Sequence, residues 1–287
     1  MKVKESVQGL AAVCLLSQLS LSMAATEEDN FPFKFAPIAG QSVTIDQPAG
    51  SEVIAHLPNG KQQSLAVVET YEASDGIKNI ALTEDFNFDG AQDLALLESS
   101  GYGGASLFYR LFLWNQKTTS FQEFGEIVDN PEVDAKTQVL TTYSRDGLVS
   151  YTTKYKVEQG KLYPAVEWTP ITVNGGNWQR LTFKNPQGKV IGHKVVNSQD
   201  EQSGDAGDNL PFAGATIKVK KAALYDKPNS AIKTKMYLIK KDEVTLLDWQ
   251  PTEGDPYAGE GWFLVRYEGK KTTEKWIEGS AVSKPKP

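Results

Sequence analysis

The chain is nearly free of the side chains that carry most nucleophilic and metal chemistry. Its 287 residues hold one cysteine, two histidines and three methionines. Zinc sites of Cys/His spacing are therefore absent, and no Gly-x-Ser-x-Gly elbow occurs. His56 stands between Ala55 and Leu57, and His193 between Gly192 and Lys194. Both lie in strand-like runs, which suits structural or surface roles better than catalysis. A glycosidase pair of carboxylates is not excluded by counting, because 36 acidic residues offer many pairs, but no pattern places one pair in a cleft. A binder, not an enzyme, is expected. An excess of positive charge is also missing: 30 Lys and Arg face 36 Asp and Glu, and the pI is near 5.2. No basic patch is evident, which argues against nucleic acid or an anionic membrane as the partner and favours a basic protein.

The long apolar stretch at the N-terminus, Gly9 to Leu21, is too short to span a bilayer as a helix. Lys2 and Lys4 precede it and Ser22-Met23-Ala24 follows, with small residues where a signal peptidase cleaves. Residues 1–24 are therefore expected to be a secretory signal peptide, with delivery to the periplasm and no membrane span. Cys14 leaves with that segment, so the mature chain would have no disulfide despite an oxidising destination.

Short alternating or β-branched runs dominate after residue 40, among them Ser42–Ile45, Glu52–Leu57, Leu94–Glu98, Phe108–Trp114, Ser150–Val157 and Trp178–Phe183. Pro58-Asn59-Gly60-Lys61 and Asn185-Pro186-Gln187-Gly188 read as hairpin turns. No helical period extends beyond about two turns. The fold class is all-β: a meander, sandwich or propeller-like domain over residues 36–196, then a second β segment over 213–283. Residues 197–212 hold four acids and no base and read as a flexible linker between the two.

The most specific motif is Asp85-Phe-Asn87-Phe-Asp89-Gly90-Ala91-Gln-Asp93. Calcium takes six to eight hard oxygens at about 2.4 Å. The side chains of Asp85, Asn87 and Asp89, the carbonyl of Ala91 and the side chain of Asp93 supply them in sequence, and Gly90 permits the turn. Leu96 stands where an EF-hand needs its bidentate glutamate, and the flanks alternate as strands do. A strand–loop–strand calcium site is expected.

Six residues beyond Asp93 comes Ser99-Ser100-Gly101-Tyr102-Gly103-Gly104-Ala105-Ser106. Three glycines and a tyrosine suit an exposed loop whose backbone approaches a partner closely. No Lys-Ser/Thr follows, so it is not a phosphate cradle. The two loops should lie at opposite ends of one strand, with calcium as a brace and Ser100, Gly101, Tyr102 and Gly103 as partner contacts.

The stretches DFNFDGAQDLALLESSGYGG, LFLWNQKTTSFQ, DNPEVDAKTQ and YTTKYKVEQGKLY resemble a family of bacterial periplasmic β proteins with one integrin-like calcium loop. The resemblance runs from Ile77 to about Lys161, roughly half of the mature chain. That family includes an immunity protein that inhibits a lysozyme-like toxin delivered by type IV secretion. The resemblance implies an immunity protein or inhibitor of a peptidoglycan hydrolase. The Ser100 hydroxyl and nearby N–H groups would bond the hydrolase's carboxylates, and Tyr102 would fill a sugar subsite.

The C-terminal segment resembles a bacterial SH3-like domain through Ala222-Ala-Leu-Tyr225, Val244–Trp249, Gly261-Trp262-Phe-Leu-Val265 and Lys275-Trp276-Ile277. Such domains commonly bind cell-wall peptides, which implies Tyr225, Trp249, Tyr257 and Trp262 as groove aromatics. The alternative function is thus a peptidoglycan-binding or envelope-maintenance module without a hydrolase target.

Overall fold

The computed structural model describes residues 26–28, 30–48, 52–66, 80–146, 149–171, 173, 177–198, 209–252 and 261–283. The signal segment 1–24, residues 199–208 of the expected linker and Tyr257 lie outside them. The protein is all-β, with 67% of the described residues in strand.

In chain order, β1 (Thr26–Glu28) precedes a four-stranded meander of β2 (Phe33–Ile38), β3 (Gln41–Asp46), β4 (Val53–His56) and β5 (Gln62–Ala66). β6 (Ala81–Glu84), β7 (Asp93–Gly101), β8 (Ser106–Asn115) and β9 (Ser120–Asp129) follow and, with β1 on the edge, make a five-stranded antiparallel sheet. A six-stranded meander runs through β10 (Glu132–Asp134), β11 (Val139–Asp146), β12 (Val149–Glu158), β13 (Lys161–Ile171), β14 (Trp178–Lys184) and β15 (Val190–Asn197). The last seven strands are β16 (Gly214–Ile217), β17 (Lys221–Tyr225), β18 (Lys233–Ile239), β19 (Glu243–Pro251), β20 (Gly261–Glu268), β21 (Thr272–Glu278) and β22 (Val282–Ser283). They pair in the order β18-β17-β21-β20-β19-β16-β22.

The sheets pack face to face through successive cores. Val43, Ile45, Val53 and Ala55 meet Leu94, Leu96, Phe112 and Trp114 from one face of the five-stranded sheet. Ala95, Leu97, Tyr109, Leu111 and Val128 from its other face meet Leu140, Tyr155 and Leu162. β7 is thereby covered on both sides, which explains why Asp93-Leu-Ala-Leu-Leu97 is buried without alternation. Both expected hairpin turns form, with Gly60 at φ 79° and Gly188 at φ 76° and their N–H groups on the Leu57 and Asn185 carbonyls.

β9 and β13 are not evident in the sequence pattern. β9 is interrupted by Gly125 at φ 88°, and β13 carries two prolines. Pro164 sits where the β12–β13 register shifts, and Pro170 lies beyond the last residue that pairs with β12. Neither proline removes a ladder bond the sheet needs.

The expectation of a free hinge before residue 213 is corrected. Ile171, Val173, Trp178 and Val195 share one core with Ala213, Ala215, Leu246, Phe263 and Val282. Trp178 packs edge-on against Phe263 with centroids 5.5 Å apart, and the Arg180 guanidinium donates to Asp248 at 2.7 Å. The Ala213 N–H bonds the Val195 carbonyl, and the Leu246 N–H bonds the Ala213 carbonyl. The acidic stretch says only that residues 197–210 have little to bury; the apolar residues on either side of it decide that the flanking sheets dock.

Candidate functional site

The acidic loop joins β6 to β7, and its shape is set by its own side chains. Asp85 accepts from the Asp89 N–H at 3.0 Å and the Gly90 N–H at 2.9 Å. Asn87 Oδ1 accepts from the Asp89 N–H, and Asp89 Oδ1 from the Ala91 N–H. Gly90 holds φ 87°, and a Cβ there would meet nothing within 4 Å. Glycine is needed at this position for its backbone conformation and not for space. Phe86, 1% exposed, anchors the loop in the core below.

Asp93 is 0% exposed. One oxygen accepts from the Trp114 N–H at 2.7 Å and the other from the Phe86 N–H at 3.0 Å. It thus ties the start of β7 to β8 and to the loop.

Negative charge accumulates here. Burial raises the Asp93 carboxyl well above its ordinary value; the Trp114 and Phe86 N–H groups pull it down in part, and the charges of Asp89 and Asp85 push it up again. Asp85 is raised by burial against the loop N–H groups, with Asp89 adding. Glu84 is pushed up to about 7 by burial and by Asp85.

The donor set is all oxygen, which matches calcium. In this conformation the carboxylates are turned to backbone N–H groups and do not close into a cage. Among the described residues no three Asp, Glu, His or Cys side chains converge as a metal site. The expected set has only three carboxylates, the remainder coming from Asn87 and the Ala91 carbonyl.

The glycine-rich loop lies at the far end of β7, about 25 Å away at roughly 3.3 Å per residue. Ser99 and Ser100 are exposed but belong to β7, where Ser100 faces Leu107. Tyr102–Gly104 form one 3-10 turn, and the side chain of Tyr102 lies outside the description. Gly103 and Gly104 are exposed at φ 66° and 88°.

Two residues that the motif reading passed over support this tip. Asn130, at φ 43°, donates its amide to the Ala105 carbonyl at 3.1 Å and accepts the Leu107 N–H at 3.1 Å. Asp129 beside it is 5% exposed, and among the described residues neither oxygen has a well-aligned hydrogen bond. Burial pushes its carboxyl up to about 6, and the nearby Ser106 hydroxyl and Leu107 N–H lower it only in part. The signal was the Asp-Asn pair at a strand end, a turn signature, but its partners are 22 to 25 positions away in sequence.

The expected groove aromatics of the C-terminal segment are corrected in part. Tyr225 is 2% and Trp249 6% exposed, so neither can face a peptide. Tyr225 donates to Glu278 at 2.6 Å, and Trp249 lies over Gly261, where a Cβ would come within 2.5 Å of its indole nitrogen. Trp262 is half-buried, edge-on to Tyr225 at 4.7 Å. The histidines sit in separate sheets, His56 on β4 near Asp46 at 4.0 Å and His193 on β15, where burial lowers its pKa.

No helix of the described residues is long and apolar enough to cross a membrane. No protein-family model and no curated protein matches the chain. Among solved structures, a type IV secretion system related protein of Xanthomonas aligns over 61% of this chain and 100% of its own, at 16% identity and a TM-score of 0.40. A likeness of that size bears on no residue of the two loops.

Proposed function

We propose that the protein is a non-enzymatic inhibitor of the cell envelope, exported by its N-terminal segment, that blocks a lysozyme-like peptidoglycan hydrolase with the Ser100–Gly104 tip. One observation carries the reading: two exposed left-handed glycines just beyond a strand whose first five residues are buried, held from beneath by Asn130. A stalk with a tip of three glycines around one tyrosine lets backbone N–H groups reach into a cleft and bond carboxylates. Calcium, taken by Asp85, Asn87, Asp89, the Ala91 carbonyl and Asp93, would brace the other end of the stalk and neutralise the loop.

The test is slowing of sacculus lysis across a panel of muramidases and wall amidases. The wild-type chain should inhibit at least one, and Tyr102→Ala or Asn130→Ala should weaken inhibition while far-UV dichroism is unchanged. No inhibition of any panel member would remove this reading. The rival, wall binding through the C-terminal aromatics, is weakened by the burial of Tyr225 and Trp249. Co-sedimentation with purified sacculi, in calcium and in EGTA, would restore it.

A further inference from the structure

The net acidity of the chain conceals a reversal of charge. Residues 213–287 carry 14 Lys and Arg against 10 Asp and Glu, a balance of +4, which leaves −10 for the rest of the −6 total. Between Lys218 and Lys241 eight lysines face one acid, Asp226, and that acid is held by Lys275 at 2.6 Å. The absence of a basic patch, expected from the overall balance, is therefore corrected: β17 and β18 form a basic hairpin.

Against that hairpin lies a cleft of about 270 Å³. Its floor is Leu224 of β17. One wall is Lys235, Met236 and Tyr237 of β18, and the other is Tyr267 with Lys270 and Lys271 of the β20–β21 turn. Among the described residues no acidic side chain lies within ion-pair distance of Lys235, Lys270 or Lys271. The acids nearest in sequence are engaged: Glu268 accepts from the Thr272 hydroxyl, Glu274 from Arg266, and Asp242 from the Ile239 N–H. Lys221 sits over the Tyr237 ring at 4.0 Å and holds it upright.

The open side of the cleft is a sheet edge. Among the described residues β18 pairs only with β17, and apart from the Ile239 N–H, which Asp242 accepts, its outer edge meets no described strand. Proteins usually blunt such an edge with charge or cover it. Here Met236 is 41%, Tyr237 50% and Ile239 51% exposed on that edge, and Ile232 beside it 81%. An edge strand that mixes exposed Met236, Tyr237 and Ile239 with exposed Lys233 and Lys235 suits an extended chain better than a polyphosphate backbone, which would want an unbroken cationic strip.

We propose that this cleft binds an extended acidic peptide, which adds as a strand to β18 and places its carboxylates on Lys235, Lys270 and Lys271. Backbone bonding gives the hold, side chains on one face of the added strand rest on Met236, those on the other meet Tyr237 and Lys235, and the lysines select for negative charge. The partner is thus a segment of another protein and is independent of the hydrolase contact made by the glycine-rich tip.

The test is fluorescence anisotropy on the full mature chain with a labelled synthetic peptide that alternates glutamate with valine. Saturable binding is expected. The Lys270→Gln/Lys271→Gln double variant should bind about tenfold more weakly. The same peptide N-methylated at alternate residues should lose binding, because it cannot complete the ladder. A lysine–valine peptide that binds equally well would overturn the proposal. Retained binding of the N-methylated peptide together with equal competition by heparin would also overturn it, leaving a general polyanion surface.

Discussion

The β6–β7 loop and the β18 cleft are opposites in charge and in the way charge is held. In the loop, Asp93 is buried, Asp85 half-buried and Asp89 exposed, and all three are answered by backbone N–H groups of Phe86, Asp89, Gly90, Ala91 and Trp114. In the cleft, Lys235, Lys270 and Lys271 remain in solvent. Burial makes a charge part of the architecture, because each lone pair must be satisfied where it stands. Exposure leaves a charge available to something else. The first arrangement should matter for stability and the second for association, and substitutions at four places test how far this division holds.

The largest effect is expected at Asp93. Replacing it with alanine strands two buried N–H groups and cuts the tie between β7, β8 and the acidic loop, at a cost of about 3–5 kcal/mol. Urea unfolding of Asp93→Ala in EGTA would read this directly. A cost below about 1 kcal/mol would mean that β7 is not anchored there. The same measurement on wild type, with calcium at a hundredfold its Kd, should raise stability by about 2.7 kcal/mol if the loop takes calcium.

Asp129 should move stability the other way. It is buried like Asp93 but lacks well-aligned donors, so its charged form is penalised and its carboxyl is held up to about 6. An acid whose folded pKa exceeds its unfolded value binds more protons when folded. Stability from it is present below the ordinary carboxylate range and is lost as pH rises to about 6. At pH 7 Asp129→Asn should gain about 1–3 kcal/mol and flatten the profile between about pH 4 and 6. Paired urea titrations at pH 4 and 7 would show it, and an unchanged slope would place the missing donors on Asp129 after all.

Arg180 and Asp248 are intermediate: side chains 21% and 12% exposed, paired across two sheets. A double-mutant cycle with alanine should give a coupling of about 1–2 kcal/mol. Coupling near zero, or two separate unfolding transitions, would revive the hinge that the composition of residues 197–210 suggested.

Periodicity and turn chemistry made most of the fold legible: the strands around Val43, Leu111 and Leu181, and both Gly-containing turns, follow from local rules. Three things were not local. β13 hides behind Pro164 and Pro170, whose tolerance depends on a register shift and on where β12 stops. The docking of Trp178 on Phe263 joins residues 85 positions apart, which no composition window sees. The basic face around β18 was averaged away, since a net charge of −6 sums an acidic body and a basic hairpin. At the site, the motif identified the loop residues correctly as a turn with Gly90 at positive φ. The role of Asn130 beneath the glycine tip needed the β8–β9 pairing to be seen.

The smallest effect completes the comparison. Lys270→Gln/Lys271→Gln removes two positive charges from an exposed turn with no ion-pair partner among the described residues. Stability should change by no more than about 0.5 kcal/mol. The sign is informative within that range. The turn lies beside Lys235 in the cleft, so relief of like-charge repulsion should make the variant slightly more stable at low salt, and the gain should vanish as salt screens it. A loss of stability instead would mean that the lysines brace the β20–β21 turn, and the contrast between buried acids and free bases would fail at the cleft.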